Sequence, residues 1–301
     1  SKGKFVFHFA VHNEAEREAP DPRKYIYKAA GREFPLKIIS TANWTAGFAL
    51  VAQRYQQGNV FIAGDAAHLF TPTGGMGMNT GVDDAVNLGW KLAAVLKGWA
   101  HPNLLDSYDA ERRPIGERNV EYARKFADSV GSVEVSKDFI EDTPAGDAER
   151  SRMSQYHSRH AFSEFIIPGV FLGLNYARSP IIEYGKATPP PDHPNKYEPN
   201  TCPGSRAPHA WVGREPLFDR FGREFTLLSL TSDDSVSDTI RRAANEAKMP
   251  LNVVKIRDHE ISALYVNKYT LIRPDQHVAW RGDNIPYNPA ELLAKVRGSG
   301  H

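Results

Sequence analysis

The chain has 301 residues, with 37 Lys and Arg against 36 Asp and Glu, 24% charged and 11% aromatic, the make-up of an ordinary globular chain of one or two domains. That charge balance gives nucleic acid no electrostatic footing, and neither a bilayer-spanning apolar run nor a secretory leader is read. The lone cysteine, Cys202, excludes an internal disulfide framework and a Cys-x-x-Cys pair; a reducing, cytoplasmic setting and no metal site are expected.

Phe5–His12 alternates as a strand, with Phe5, Phe7, Phe9 and Val11 on one face. Asp21-Pro22 has the form of an N-cap followed by proline at N1, and starts a helix through Ala30 that stops at Gly31. Leu36–Ser40 and Thr45–Gln53 are rich in β-branched and apolar residues and read as strands.

Val60–Ala63 reads as a short buried strand ended by the turn Gly64-Asp65. A glycine-rich loop follows, with Gly74, Gly75 and Gly77 around Met76. A helix then covers Val82–Lys97, its stripe of Val82, Val86, Gly89, Ala93 and Leu96 recurring every three or four residues, with Gly98 at C′. Strand, acidic turn, glycine loop and helix N-terminus suit an extended, polar, partly anionic ligand. A carboxylate accepts hydrogen bonds from ligand hydroxyls, and glycines let backbone approach a flat ring. The free N–H groups of the first helical turn favour negative charge. The loop does not fit a phosphate fingerprint: Gly75-x-Gly77 is followed by Thr80 where a third glycine belongs, and no Gly-Lys-Ser/Thr is present. The competing reading is a plain connection with Asp65 as a cap. The coincidence of the glycines, Pro72 and the helix start favours a ligand.

Pro102–Tyr108 reads as a short helix and Pro114 as the N1 residue of another, whose Ile115, Tyr122 and Phe126 face a core. Glu111-Arg112-Arg113 reads as a solvated or ion-paired helix end rather than an anion site. Val135–Arg152, polar and carrying Pro144-Ala-Gly146, reads as a mobile surface loop. Thr188–Pro194 reads as a stiff linker. Beyond it come strand Phe225–Leu230, helix Ser237–Lys248, strand Leu251–Ile256, a hairpin of Thr270–Arg273 with His277–Trp280, and a closing helix Ala290–Val296. That order approximates a thioredoxin-like domain.

Gly64–His68, Pro72–Gly81, Asp84–Leu92, Leu104–Tyr108 and Glu111–Pro114 together resemble the second FAD motif of the single-component flavin aromatic hydroxylases, the para-hydroxybenzoate and phenol hydroxylase family. Pro203–His209 and Leu271–Gly282 resemble the C-terminal domain of the phenol hydroxylase branch, which also lacks redox cysteines. The resemblance implies an α/β (α+β) fold, part of an FAD/NAD(P)-binding hydroxylase. Residues 1–57 would belong to the substrate-domain sheet, 58–187 to the second FAD motif and its helices, 188–200 to a linker, and 201–301 to a thioredoxin-like domain with a packing or dimer-forming role.

The same resemblance implies that Asp65 holds the ribityl chain of FAD, with Gly64 among the cofactor-binding residues, and that Pro72 sits beside the flavin at the substrate cavity. Gly75 and Gly77 would admit the ring, and the N–H groups of Met78 and Asn79 would bind its N1–C2=O edge, where reduced flavin carries negative charge. His68 matches the motif and reads equally as a hydrogen-bonded turn residue. Phe7 and Trp44 are candidates to touch a substrate ring, with core packing as their competing role. The implied activity uses FAD, O2 and NADH or NADPH, a flavin C4a-hydroperoxide passing one oxygen to a small phenolic aromatic substrate. A polyketide phenol is the alternative substrate, and a non-catalytic assembly module the alternative role. The family's Gly-x-Gly-x-x-Gly and Asp-Gly motifs are not found here. The N-terminal half of the same enzyme is therefore expected as a partner, with a second copy in a homodimer, and no catalytic acid or base is assigned.

Overall fold

The computed structural model describes residues 3–9, 21–42, 48–131, 133–284, 286 and 288–299, in two units, Ser1–Ala46 and Gly47–His301. In the first, α1 (Pro22–Ala30) forms as its ends dictate: Asp21 accepts the Arg23 N–H, proline stands at N1, and Gly31 closes the helix at φ 68°. The strands expected at 5–12 and 36–40 are not found among the described residues. Apolar alternation makes a strand only where a neighbour completes the ladder, and Phe5 and Val6 stay exposed.

The second unit opens with two short antiparallel pairs, β1 (Leu50–Val51) with β4 (His68–Leu69), and β2 (Gln56–Gln57) with β3 (Val60–Phe61). The expected strand over 45–53 thus shrinks to Leu50–Val51 among the described residues. That over 60–63 is a two-residue hairpin arm with Val60 exposed, not buried. Helices α2 (Met76–Leu96), α3 (Ser107–Gly131), α4 (Pro144–Phe165) and α5 (Pro168–Leu172) follow.

Two helix boundaries differ from the sequence reading. Pro114 stands inside α3 rather than at its start, so only the carbonyl of Ala110 loses its helical N–H partner. The stretch read as a mobile loop is a 3₁₀ turn, Lys137–Ile140, followed by the first part of α4. Thr143 caps that helix by accepting the Gly146 N–H at 3.2 Å, with Pro144 at N1. The Pro-Ala-Gly run that suggested a turn is a helix start.

The hairpin β5 (Trp211–Val212) and β6 (Glu215–Pro216) precedes the tail domain. Its elements are β7 (Phe225–Ser229), α6 (Ser235–Glu246), β8 (Leu251–Lys255), α7 (His259–Tyr265), β9 (Tyr269–Ile272), β10 (Val278–Gly282) and α8 (Pro289–Val296). The sheet order is β10-β9-β7-β8, with β7 and β8 parallel and the other pairs antiparallel. This is the thioredoxin-like arrangement expected, with α7 the helix not anticipated; Asp258 caps it through the Glu260 and Ile261 N–H groups. Every residue of β7 is buried, as a central strand covered on both faces requires.

One face of the tail's sheet packs within the tail itself, where Leu228, Ile256, Ile261, Tyr265, Ile272 and Val278 are buried together; the other face shares its core with the preceding helices. Phe225, Leu227, Ile240, Leu271 and Leu293 pack with Ala94, Trp99 and Leu104 from the end of α2 and the segment after it. Trp90 and Trp99 meet the Phe225 ring edge-on at 5.7 and 6.2 Å, a favoured aromatic geometry. Among the described residues no helix is long and apolar enough to cross a membrane.

Candidate functional site

Helix α2 begins on an open surface. Its N-cap, Gly75, is left-handed (φ 60°) and offers no side-chain cap, and a Cβ built there would meet nothing within 4 Å. Met78 is exposed, and the Asn79 side chain turns back to donate to the Gly75 carbonyl at 2.8 Å. Among the described residues the N–H groups of the first turn therefore have no side-chain acceptor, at the positive end of the helix dipole. At Gly77 a Cβ would make only ordinary contact with the Phe70 ring, at 3.6 Å. Packing within the chain therefore does not demand this glycine. Pro72, exposed, opens the loop.

The acidic turn sits against the same helix. Gly64 (φ 58°) begins the 3₁₀ turn Gly64–Ala66, and a Cβ on Gly81 would stand 3.2 Å from the Gly64 Cα. That close approach lays the turn on the second turn of α2. Asp65 points outward, exposed and without a hydrogen bond or ion pair among the described residues.

A buried carboxylate ties the turn to the helix. Asp84 Oδ2 accepts the Gly64 N–H at 3.1 Å and lies 2.7 Å from His68 Nε2. Its Oδ1 accepts from Arg112 Nε at 2.7 Å, and Arg112 also reaches the Thr80 carbonyl and the Tyr176 hydroxyl. The side chains of His68, Asp84 and Arg112 are wholly buried. Burial pushes the Asp84 carboxyl up, but the His68 hydrogen bond and the Arg112 charge outweigh it and hold it below its ordinary value. His68 is thus hydrogen-bonded, as one reading of the sequence expected, but it lies on β4 rather than in the turn.

The helix is inverted relative to its pattern. The apolar stripe is exposed, with Val82 at 55%, Val86 at 50% and Leu96 at 84%, whereas Asp84 and Lys91 are at 0%. The periodicity is that of a helix, but the face turned inward is Thr80, Asp84, Asn87 and Lys91. Their spacing of four, three and four is itself helical, and is the signal that could have located them.

What they meet is charge. Lys91 Nζ lies 2.7 Å from Glu111 Oε2, and Asn87 donates to the same oxygen at 2.7 Å. Arg273, from the end of β9, grips both oxygens of Glu111 at 2.6 and 2.9 Å. Asp275 accepts from Arg273 Nε at 2.9 Å and from the Trp90 indole at 3.0 Å. Of the two alternatives, solvated or ion-paired, Glu111 and Arg112 take the second: both are buried and ion-paired, and of the three only Arg113, paired with Glu117 at 2.7 Å, sits near the surface. Burial pushes the Lys91 ammonium down to about 8; the Glu111 charge opposes that shift and the nearby Arg273 charge adds to it.

The structure brings Gly64, Asp65, Pro72, Gly75, Gly77, Met78 and Asn79 onto one loop-and-helix surface. Phe7 is half exposed within the first unit, and Trp44 lies outside the described residues. Asp84, Arg112 and Arg273, which stand in the motif segments with no role in this surface read for them, and Glu164, which the sequence reading did not name, hold this surface in place. Among the described residues no His, Cys, Asp and Glu cluster could hold a metal ion.

Residues 7–123 match the FAD binding domain family and residues 200–298 the aromatic-ring hydroxylase C-terminal family. The FAD-dependent monooxygenase apdD of Emericella nidulans is 36% identical over 276 residues, covering 85% of this chain and 43% of that protein. The 4-methyl-5-nitrocatechol 5-monooxygenase of a Burkholderia species is 32% identical over 284 residues, covering 87% and 47%. Among solved structures, the rebeccamycin biosynthetic enzyme RebC with reduced flavin matches with a TM-score of 0.75 at 40% identity, covering 83% of this chain and 46% of that one. The chain spans about half the length of the curated relatives it matches.

Proposed function

Since the chain belongs to the FAD-dependent aromatic-ring hydroxylase family, we propose that it forms the flavin-facing part of a monooxygenase acting on a small phenolic substrate. Asp65 accepts hydrogen bonds from the ribityl hydroxyls. The backbone N–H groups of Met78 and Asn79 face the N1–C2=O edge of the ring, where the helix dipole stabilises negative charge. Gly64, Gly75 and Gly77 leave room for the ring to approach the backbone, and Pro72 flanks it on the substrate side. FAD, when bound and reduced by NADH or NADPH, supplies the activation of O2 and the oxygen atom that enters the ring. An ADP-binding N-terminal segment and a second copy in a homodimer complete the enzyme, in a cytoplasmic setting. Phe7 and Trp44 are assigned to the substrate face on the resemblance alone.

One observation carries the reading: a carboxylate at Asp65, exposed and unpartnered among the described residues, stands beside a helix N-terminus whose N-cap is a glycine. The residues fit the cofactor, since a carboxylate, uncapped N–H groups and an open glycine surface are what its hydroxyls, its anionic edge and its flat ring need.

The test is a titration with FAD of the purified complete enzyme, including its N-terminal segment, followed by dialysis and a visible spectrum. Retained flavin bands, together with NAD(P)H oxidation stimulated by small phenols, support the proposal. Folded protein that releases all its FAD overturns it.

A further inference from the structure

We infer that Glu164 is a positioning residue of the flavin loop, acting through the amide of Gly74; this rests on the function proposed above. Glu164 is the penultimate residue of α4 and is buried. Its Oε1 accepts the Gly74 N–H at 2.9 Å, across 90 positions of sequence. Its Oε2 lies 2.6 Å from His160 Nε2, one helical turn back, and His160 Nδ1 lies 2.7 Å from the Ser129 hydroxyl on α3. A serine, a histidine and a glutamate from two helices thus form a hydrogen-bonded chain that ends on the backbone of the glycine loop.

The loop needs such an anchor. Gly74 and Gly75 are successive left-handed residues, at φ 70° and 60°, and glycine is the residue least able to hold a conformation by itself. The other bonds on the segment are neutral ones: the Thr73 hydroxyl donates to the Ala123 carbonyl at 2.6 Å and lies 2.9 Å from the Thr71 hydroxyl, the Asn79 side chain donates to the Gly75 carbonyl at 2.8 Å, and the Gly75 N–H reaches the Pro72 carbonyl at a long 3.3 Å. The carboxylate bond is the charge-assisted one. It fixes the Thr73–Gly74 peptide, one residue ahead of the N-cap Gly75 of α2, and so sets the direction in which the N–H groups of Met78 and Asn79 point. Ser129, His160 and Glu164 all lie between the two family-matched segments, 7–123 and 200–298. The clamp is therefore supplied by a part of the chain that neither family description covers.

Four proteins test this: the unsubstituted enzyme, Glu164→Ala, Glu164→Gln, and Met153→Ala as a control buried three turns earlier on α4. Two quantities are read in each, amide hydrogen exchange at Gly74 and Gly75 without flavin, and the dissociation constant for FAD. Glu164→Ala is expected to speed exchange at Gly74 and to weaken FAD binding about tenfold or more. Glu164→Gln keeps an acceptor for Gly74 and presents an N–H to His160, so it stays within about threefold of the unsubstituted enzyme. Met153→Ala lowers the melting temperature and leaves FAD affinity alone. The inference is overturned if Glu164→Ala binds FAD as tightly as the parent, or if Met153→Ala weakens binding equally. An unsubstituted enzyme that binds no FAD overturns the proposed function itself, and this inference with it.

Discussion

Arg273 and Glu111 lie 162 positions apart and meet with two parallel hydrogen bonds, of 2.6 and 2.9 Å, with neither side chain exposed. A bidentate guanidinium–carboxylate pair of this kind is directional as well as charged. It fastens the end of β9 in the tail to α3, and through Lys91 to the helix that carries the candidate flavin surface.

Removing one side of that pair leaves a buried charge with too little compensation. Arg273→Met is expected to cost about 3–5 kcal/mol, read as a fall in the urea midpoint at constant slope. Lys91→Met is expected to cost less than half as much. Arg273 still neutralises Glu111 there, and the ammonium removed is one that burial already disfavours. Equal losses for the two substitutions would refute the division of roles.

Acid should unfold the protein through the same groups. Burial alone would raise Glu111, Asp84 and Asp275. Arg273 and Lys91 at Glu111, His68 and Arg112 at Asp84, and Arg273 and His277 at Asp275 outweigh it and hold all three below their ordinary values of 4.5, 3.8 and 3.8. A carboxylate with a lower folded than unfolded value binds fewer protons when folded. Its stabilisation is present above the unfolded value and lost as pH falls beneath it. Stability is expected to be level near neutrality and to drop below about pH 4.5. Glu111→Gln, less stable throughout, should show a shallower fall. Urea midpoints across an acid series decide it, and parallel curves would rule out Glu111 as a contributor.

Asp65 separates binding from folding. With no partner among the described residues, its replacement by Ala is expected to change stability by no more than about 0.5 kcal/mol. FAD retention after dialysis should fall about tenfold or more, the loss of hydrogen bonds to a charged acceptor. Calorimetry and flavin absorbance on the same sample give both numbers. A variant that keeps its flavin would remove Asp65 from the site.

Gly81→Ala probes the seat of the acidic turn. Alanine in a helix interior gains about 1 kcal/mol over glycine, yet here its methyl would stand 3.2 Å from the Gly64 Cα, so the turn must move by a few tenths of an ångström. Stability is expected to stay nearly constant while FAD binding weakens by about threefold or more, since small displacements at a binding turn are costly. Improved stability with unchanged affinity would show that the seating is not tight.

Local signals were legible and side-facing was not. Asp21, Pro22 and Gly31 specify α1 within a dozen residues, and the hairpin on either side of Pro274-Asp275 forms where turn chemistry puts it. The Gly64-Asp65 turn and the glycine loop were legible because their conformations need those residues. By contrast, which face of α2 turns inward depends on Arg112, on Glu111 and on Arg273, brought in from elsewhere in the chain, and no periodicity contains that information. Glu164 was hidden for a similar reason: its partner is a backbone amide 90 residues away, and its own helix begins with residues that look like a turn.

The shared core and the Arg273–Glu111 grip make the tail a poor candidate for free exchange between related enzymes. A chimera joined in the 188–200 stretch would import a sheet whose Phe225 expects Trp90 and Trp99, and an arginine that expects Glu111. Compatibility is written in α2 and α3, far from the junction, so a graft that carries those helices along with the tail should succeed where one cut at the prolines fails.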